Sequence, residues 1–394
     1  GLFALDGGEA TALARFQKDA SATVVVRPVP EAGYEFYKWT GDMEKLEVAQ
    51  DGSIELRGAC PRSLVCYFRK IGTTGVERSW TGAGDGKSWA DAANWDPSGE
   101  PAEDDVVSIG SGATVLISES TKKLYSLTLS STLMMSNWMT RLNAAYVHVN
   151  ADGVIKPSNA FADNEMSNRV WISCCDLDVA TGGKIHADKL GYKGKNGPGW
   201  GDFASRESYD YAGSYGGKAS DGKATQCYGS VEEPTDPGTG SGKATGIAGG
   251  AIRIDASRAV RIDGTVSANG IESTLWAQSA GSGGSVYLSC LTVSGKGVVQ
   301  ACSPDKVSTE GHYGGGGGRI AVHYDAQAQA GVICDVRFDA HGGMGYYAVP
   351  EGAMSGYTAQ RRSGLAVWAH YGLPTISFLQ RTSGVIRAFG IRGS

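Results

Sequence analysis

One alternation of apolar and polar residues is written four times between Arg169 and Gly343. The copies open with Val170-Trp171-Ile172-Ser173-Cys174, Ile252-Arg253-Ile254-Asp255-Ala256, Val286-Tyr287-Leu288-Ser289-Cys290 and Ile320-Ala321-Val322-His323-Tyr324. Each closes on a second short run ending in alanine: Ile185-His186-Ala187, Val266-Ser267-Ala268, Val299-Gln300-Ala301 and Phe338-Asp339-Ala340. In three copies a glycine stands between the runs: Gly183, Gly264 and Gly297. A period of two belongs to strands, whose successive side chains leave opposite faces; a helix would space its apolar residues by three and four. The pattern therefore predicts half-buried strands.

A two-strand unit cannot bury its apolar face alone, so repeated units predict a stack. The copies begin 82, 34 and 34 residues apart. The long interval holds an excursion, residues 189–250, too rich in tyrosine for a floppy linker and expected to form an ordered loop over one face. Glycine runs precede the strands that begin at Ala251, Ser285 and Arg319.

Composition narrows the class. The 394 residues include 58 glycines without a G-X-Y period, 41% are apolar and 20% charged, which argues against both collagen and disorder. A net charge of −5 gives no support to a nucleic-acid partner. No run of 18 apolar residues is present, so no membrane insertion is expected. Eight cysteines are too few for a disulfide scaffold of this size. Cys60 and Cys66 bracket a short loop that a disulfide could close, whereas Cys174 and Cys290 share one column of the repeat and read as small buried packing residues. No cofactor motif or zinc-type cysteine cluster is written, and a calcium site drawing carboxylates from different strands stays open.

Upstream, Ala12-Leu-Ala-Arg-Phe16 has the polarity of Leu64-Val-Cys-Tyr-Phe68, so residues 1–18 read as the tail of a copy preceding residues 19–72. The segment Gly33-Tyr34-Glu-Phe36-Tyr-Lys-Trp39-Thr-Gly41-Asp42 resembles the bacterial repeat of the internalin B-repeat kind. That resemblance implies a β-rich spacer from arrays on secreted and cell-surface bacterial proteins, and a chain that is one part of a longer protein. Trp80, Trp89 and Trp95, followed by short alternating strands, resemble the first rung of a secreted parallel β-helix. We read the three tryptophans as an apolar plug over an otherwise open stack.

With Gly191-Tyr-Lys-Gly-Lys-Asn-Gly-Pro-Gly199 and Ala212-Gly-Ser-Tyr-Gly-Gly217, the glycine runs resemble glycine-rich secreted proteins of the pectin-lyase-like class. The resemblance spans residues 78–345 and implies an all-β fold, a right-handed parallel β-helix (solenoid). It leaves the chemistry open, since that class holds lyases, hydrolases and adhesins. Residues 346–394 are expected to supply a last rung or capping strands.

Two phosphate-loop look-alikes fail. Thr81 and Pro237 stand where the first glycine belongs, and Ala244 replaces the hydroxyl residue of the second. The run 314–318 reads as a close-packed corner, and Asp104-Asp105 and Glu232-Glu233, adjacent along the chain, point to opposite faces. The informative positions are Asp188, Asn269, Cys302 and His341, each following the alanine that closes a copy. Stacked strands would align them into a column beside Lys189, Tyr192 and Lys193.

Such a column supplies groups that a lyase uses, with Asp188, Lys189 and His341 as candidate catalytic residues. Asn269, Tyr192, Lys193, Tyr209, Tyr211, Tyr215 and Arg319 are the candidate glycan contacts. The plain alternative is a solvated corner where polar residues cap turns. Three functions follow: a non-catalytic extracellular module that engages a polysaccharide or surface glycan, a polysaccharide lyase or glycoside hydrolase working in the groove, or a structural spacer.

Overall fold

The computed structural model describes all residues except 1, 6–7, 12–22, 31, 42, 58–63, 72–74, 201–211, 220–225, 243–245, 272–278, 305–313, 344–364 and 372–394. The chain divides into two compact units, Gly1–Gly75 and Val76–Ser394. It is all-β, with parallel sheets confined to the second unit.

In the first unit, Gly8–Thr11, Leu2–Leu5, Thr23–Val29 and Ile54–Arg57 form an antiparallel sheet in that order. Leu2–Leu5 pairs with Thr23–Val29, which joins the expected tail to the repeat after it. Tyr34–Gly41 pairs antiparallel with Leu64–Lys70. The aromatic segment is core material: Trp39 packs with Val26 and Ile54 and donates its indole N–H to the Gly52 carbonyl at 2.7 Å. Gly52 turns at φ +80°, where a Cβ would lie 2.6 Å from the Phe36 ring, so only glycine fits. Cys66 is a free thiol that burial pushes up to about 12; Cys60, Asp42 and the run 12–16 lie outside the described residues.

The second unit contains two sheets of parallel strands, apart from Trp95–Asp96, which pairs antiparallel with Glu77–Trp80 at one end of the larger sheet. One is seven-stranded, running Thr114–Ile117, Thr132–Met135, Val154–Pro157, Lys184–His186, Thr265–Ser267, Val298–Gln300 and Arg337–Asp339. The larger runs from Glu77–Trp80 through Val106–Ile109, Leu124–Leu129, Leu142–Val149, Val170–Val179, Ala251–Ala256, Ser285–Ser289 and Arg319–Asp325 to Leu365–Tyr371. From Val106 to Tyr371 the chain visits the sheets alternately, and each visit lays parallel strand beside the preceding circuit; two visits to the larger sheet add a second short strand, Ala259–Ile262 and Thr292–Ser294. The four copies pair in register: Val170↔Ile252, Ile252↔Val286 and Val286↔Ile320.

Their inward residues form one apolar core, from Trp89 and Trp95 through Ile172, Ile254, Leu288 and Val322 to Phe338. Cys174 and Cys290 are buried in it. At one end of the larger sheet Trp95 sits edge-on to Trp89 (4.8 Å) and Trp80 (5.0 Å), with its indole N–H on the Trp89 carbonyl. Arg78 pairs with buried Asp105 at 2.6 Å, and the same carboxylate accepts the amides of Val76 and Ala102. This closes the loop before the first parallel strand.

The glycine runs and the closing alanines, separate motifs in the sequence, are bonded to each other. The amides of Gly250, Gly284 and Gly318 donate to the carbonyls of Ala187, Ala268 and Ala301, each at 2.7 Å. A Cβ on Gly284 would collide with the Gly250 carbonyl, and one on Gly318 with the Gly284 carbonyl. The excursion joins this layer. Gly238 donates to Gly249, Gly316 to Gly213 and Gly217 to Gly317 at 2.8, 2.8 and 2.9 Å.

Gly284→Ala is expected to destabilise the second unit by at least ~1–3 kcal/mol, since neighbouring backbones rather than flexible side chains must move. Gly110→Ala, with nothing within 4 Å of the new methyl, serves as the neutral control. Denaturant midpoints that coincide for the two variants would remove close backbone approach as the reason for the glycine run.

Candidate functional site

The strand register places the alanine-following residues in one line along the seven-stranded sheet. Ile185 pairs with Val266, Val266 with Val299 and Val299 with Phe338, so Ala187, Ala268, Ala301 and Ala340 point inward and are buried. Asp188, Asn269, Cys302 and His341 leave the opposite face. In a regular parallel ladder the Asn269 amide would donate to the Ala187 carbonyl. That carbonyl is taken by Gly250. The Asn269 amide turns instead to Asp188 Oδ1 at 2.6 Å, while Asp188 Oδ2 accepts the Ser267 hydroxyl at 2.7 Å.

The substitution recurs one strand on. Gly284 occupies the Ala268 carbonyl, and the Cys302 amide donates to Asn269 Oδ1 at 2.8 Å. At the last strand the His341 amide and Nδ1 lie 3.3 and 2.8 Å from Asp339 Oδ1. The column is a set of caps for amides that the glycine runs displace from the ladder. Turn-capping is thus the reading that the geometry of Asp188 and Asn269 carries.

His186 stands one position inside the column, with its Nδ1 buried and without a partner among the described residues. Burial lowers its imidazole, Lys156 and Lys184 push the same way and Asp188 opposes. The Asp339 carboxyl would rise through burial, but the hydrogen bond and charge of His341 outweigh this and hold it below its ordinary value.

The remaining candidates scatter. Lys189 is exposed at φ +61° with its amide on the Asn269 carbonyl, and Lys193 is exposed with its amide on Phe161. Tyr192 and Tyr215 do not form a wall for a ligand. Tyr192 is buried edge-on to Phe161, its hydroxyl pushed by burial to about 12, and Tyr215 is fully buried against Tyr228. Arg319 is buried as well, donating to the Tyr228 carbonyl at 2.9 and 3.2 Å over the Tyr215 ring. The excursion is knitted into the glycine layer, so these tyrosines and Arg319 fill space beneath it. Tyr209 and Tyr211 lie outside the described residues.

The larger sheet carries a cluster that the sequence reading passed over. The second residue of each opening run faces away from the apolar core, and register lines up Trp171, Arg253, Tyr287 and Ala321. Trp171, Tyr287, Ala321 and the neighbouring Arg169 are buried, so Arg141 and Arg253, both half-buried, are the members that solvent reaches. Arg141, Arg169 and Arg253 place their guanidiniums 3.7, 4.1 and 5.2 Å from the Trp171 ring, and Arg253 lies 5.0 Å from Tyr287. Asp255 Oδ2 accepts from Trp171 Nε1 and Arg253 Nε, both at 2.7 Å.

Among the described residues, these three cations thus gather round one directly bonded carboxylate, which pairs with Arg253. Arg169 donates to the Trp138 carbonyl at 2.9 Å, and the charge of Glu233 acts on Arg253. Burial and the charges of Arg253 and Arg141 pull Arg169 down to about 10. Arg258, farther along the same sheet, pairs with Asp176 and is matched in charge. The alternation of Trp, Arg and Tyr in one slot was visible in the repeat, but Arg141 and Arg169 lie outside the copies, and only the fold brings them there.

Asn269→Ala should cost ~1–3 kcal/mol, because the Cys302 amide loses its acceptor inside the structure; Lys189→Ala, at an exposed side chain, should stay within ~0.5 kcal/mol. Equal unfolding midpoints would refute the capping role. Because His186 resists protonation when folded, stability should fall as pH drops through ~6.5 and level off below the depressed folded value. Titrated melting curves of His186→Gln should show a shallower slope over that window, and an unchanged slope would exclude His186 as its source.

Residues 94–169 match the family model of the G8 domain, a family of extracellular domains. The match covers about a fifth of the chain and spans the Trp95 strand through the strand at Val154–Pro157. No curated protein and no solved structure matches. No helix among the described residues is long and apolar enough to cross a membrane.

Proposed function

We propose that the chain is a non-catalytic extracellular module, a right-handed parallel β-helix of the pectin-lyase-like kind, that holds acidic polysaccharide on the outer face of its larger sheet. Alternate visits to two parallel sheets support the helix, and the G8 match over residues 94–169 supports an extracellular setting. The aromatic-rich unit before residue 76 acts in this reading as a spacer on a bacterial surface protein.

The observation that carries the binding face is the excess of guanidinium around Trp171. Stacking fixes the planes of Arg141 and Arg253 in advance, so less side-chain freedom is lost when an anion docks. Guanidinium edges match carboxylate or sulfate oxygens in pairs, each charge-assisted bond contributing ~1.5–3 kcal/mol. The engagement of the catalytic candidate Asp188 supports the same reading, since its carboxylate caps the Asn269 amide and accepts the Ser267 hydroxyl.

Affinity electrophoresis through gels containing a uronate polysaccharide should retard the chain, weakly at high salt. A gel containing a neutral glucan should not. The variants Arg141→Gln and Arg253→Gln should each weaken retardation by ~10-fold, as expected for a lost charge-assisted contact. Retardation that both variants keep would sink the binding face. Release of unsaturated product, lost in Asp188→Ala, would replace the non-catalytic reading by a lyase.

A further inference from the structure

At the C-terminal edge of the seven-stranded sheet, away from the arginine cluster, three different metal-ligating side chains converge. Asp339 ends the strand Arg337–Asp339, and His341 follows two residues later and leaves the same face. Cys302 lies opposite His341 on the neighbouring strand, where the Ser303 amide donates to the His341 carbonyl at 3.0 Å. A thiol sulfur, a carboxylate oxygen and an imidazole nitrogen all lie within 4.8 Å of one another.

We propose that Cys302, Asp339 and His341 form a binding site for a borderline-soft divalent cation of the zinc class. The ligand set decides the class. Calcium and magnesium take shells of oxygen, whereas one sulfur, one nitrogen and one oxygen suit Zn2+ or Co2+. Three protein ligands leave a fourth, tetrahedral position for water.

The surroundings prepare the site. The Cys302 amide is fixed on Asn269 Oδ1, its Sγ lies 3.2 Å from the Asp339 carbonyl, and His341 Nδ1 lies 2.8 Å from Asp339 Oδ1. Cys302 is 6% exposed, and the side chains of Asp339 and His341 are 17% and 23% exposed. The cluster is therefore shielded yet reachable from solvent. On binding, the Cys302 S–H bond breaks, its proton goes to solvent and the thiolate electron pair forms the bond to the metal. The ion then joins two neighbouring strands through side chains, in addition to their backbone ladder.

The metal role gives His341 a coordinating rather than an acid–base part. It also separates Cys302 from the core thiols of Cys174 and Cys290, whose sulfurs face the apolar interior. The exposed Cys227 provides a thiol control outside the cluster.

The full chain, reduced and stripped by chelator, is titrated with Zn2+, Co2+ and Ca2+ separately. One equivalent of Zn2+ should bind and raise the melting temperature. Co2+ should give a thiolate-to-cobalt charge-transfer band and the visible bands of a tetrahedral ion, and Ca2+ should do neither. Cys302→Ser should abolish the charge-transfer band, and His341→Gln should weaken Zn2+ by at least ~10-fold while keeping it; Cys227→Ser should behave as wild type.

The His341→Gln arm decides the matter should Cys302→Ser fail to fold. Absence of Zn2+ binding at micromolar concentrations overturns the proposal. So does a charge-transfer band that follows Cys227, or affinity unchanged in His341→Gln. None of these readouts depends on polysaccharide, so they stand or fall independently of the binding face on the larger sheet.

Discussion

Three alanine carbonyls accepting from three glycine amides hold the second unit in its shape. Ala187, Ala268 and Ala301 each stand one residue after a strand of one sheet, and Gly250, Gly284 and Gly318 each stand one residue before a strand of the other. The bonds tie the end of one circuit to the start of the next. They form only where neighbouring backbones come closer than a Cβ allows, which fixes glycine at both these positions and their neighbours. Two members of the polar column along the smaller sheet follow. The displaced amides need new acceptors, and Asp188 and Asn269 provide them.

The strands were legible because alternation is local. Val170, Ile252, Val286 and Ile320 announce themselves within five residues, and their common register follows from matching patterns. The column after the alanines was legible as an alignment. Its role was not, since that depends on which carbonyls are already occupied, a fact set by glycines up to 63 residues away in the chain. Tyr215 shows the opposite failure. Dense tyrosine suggested a binding wall, yet the glycine-rich surroundings let backbones close over the ring until none of it is exposed. Composition could not say which side of that layer the rings would occupy.

The arginine cluster was illegible for another reason. Arg253 sits in the repeat, but Arg141 precedes a strand of an earlier circuit and Arg169 precedes the first copy. Stacking brings them around Trp171 over distances no sequence window connects. The same sheet neutralises Arg258 with Asp176 and Arg261 with Asp263, so pairing is its ordinary arrangement. The group around Trp171 departs from that arrangement, with Asp255 as its directly bonded carboxylate among the described residues.

The spacing of Gly250, Gly284 and Gly318, 34 residues each time, makes the stretch between them a cassette. Its upstream carbonyl, its displaced amide and its downstream glycine are the same at both junctions. Gene duplication of one such cassette would meet its own complement on either side, leaving the tryptophan-covered end untouched. An added cassette of this kind would therefore extend both sheets together, by whole strands, without a new kind of junction.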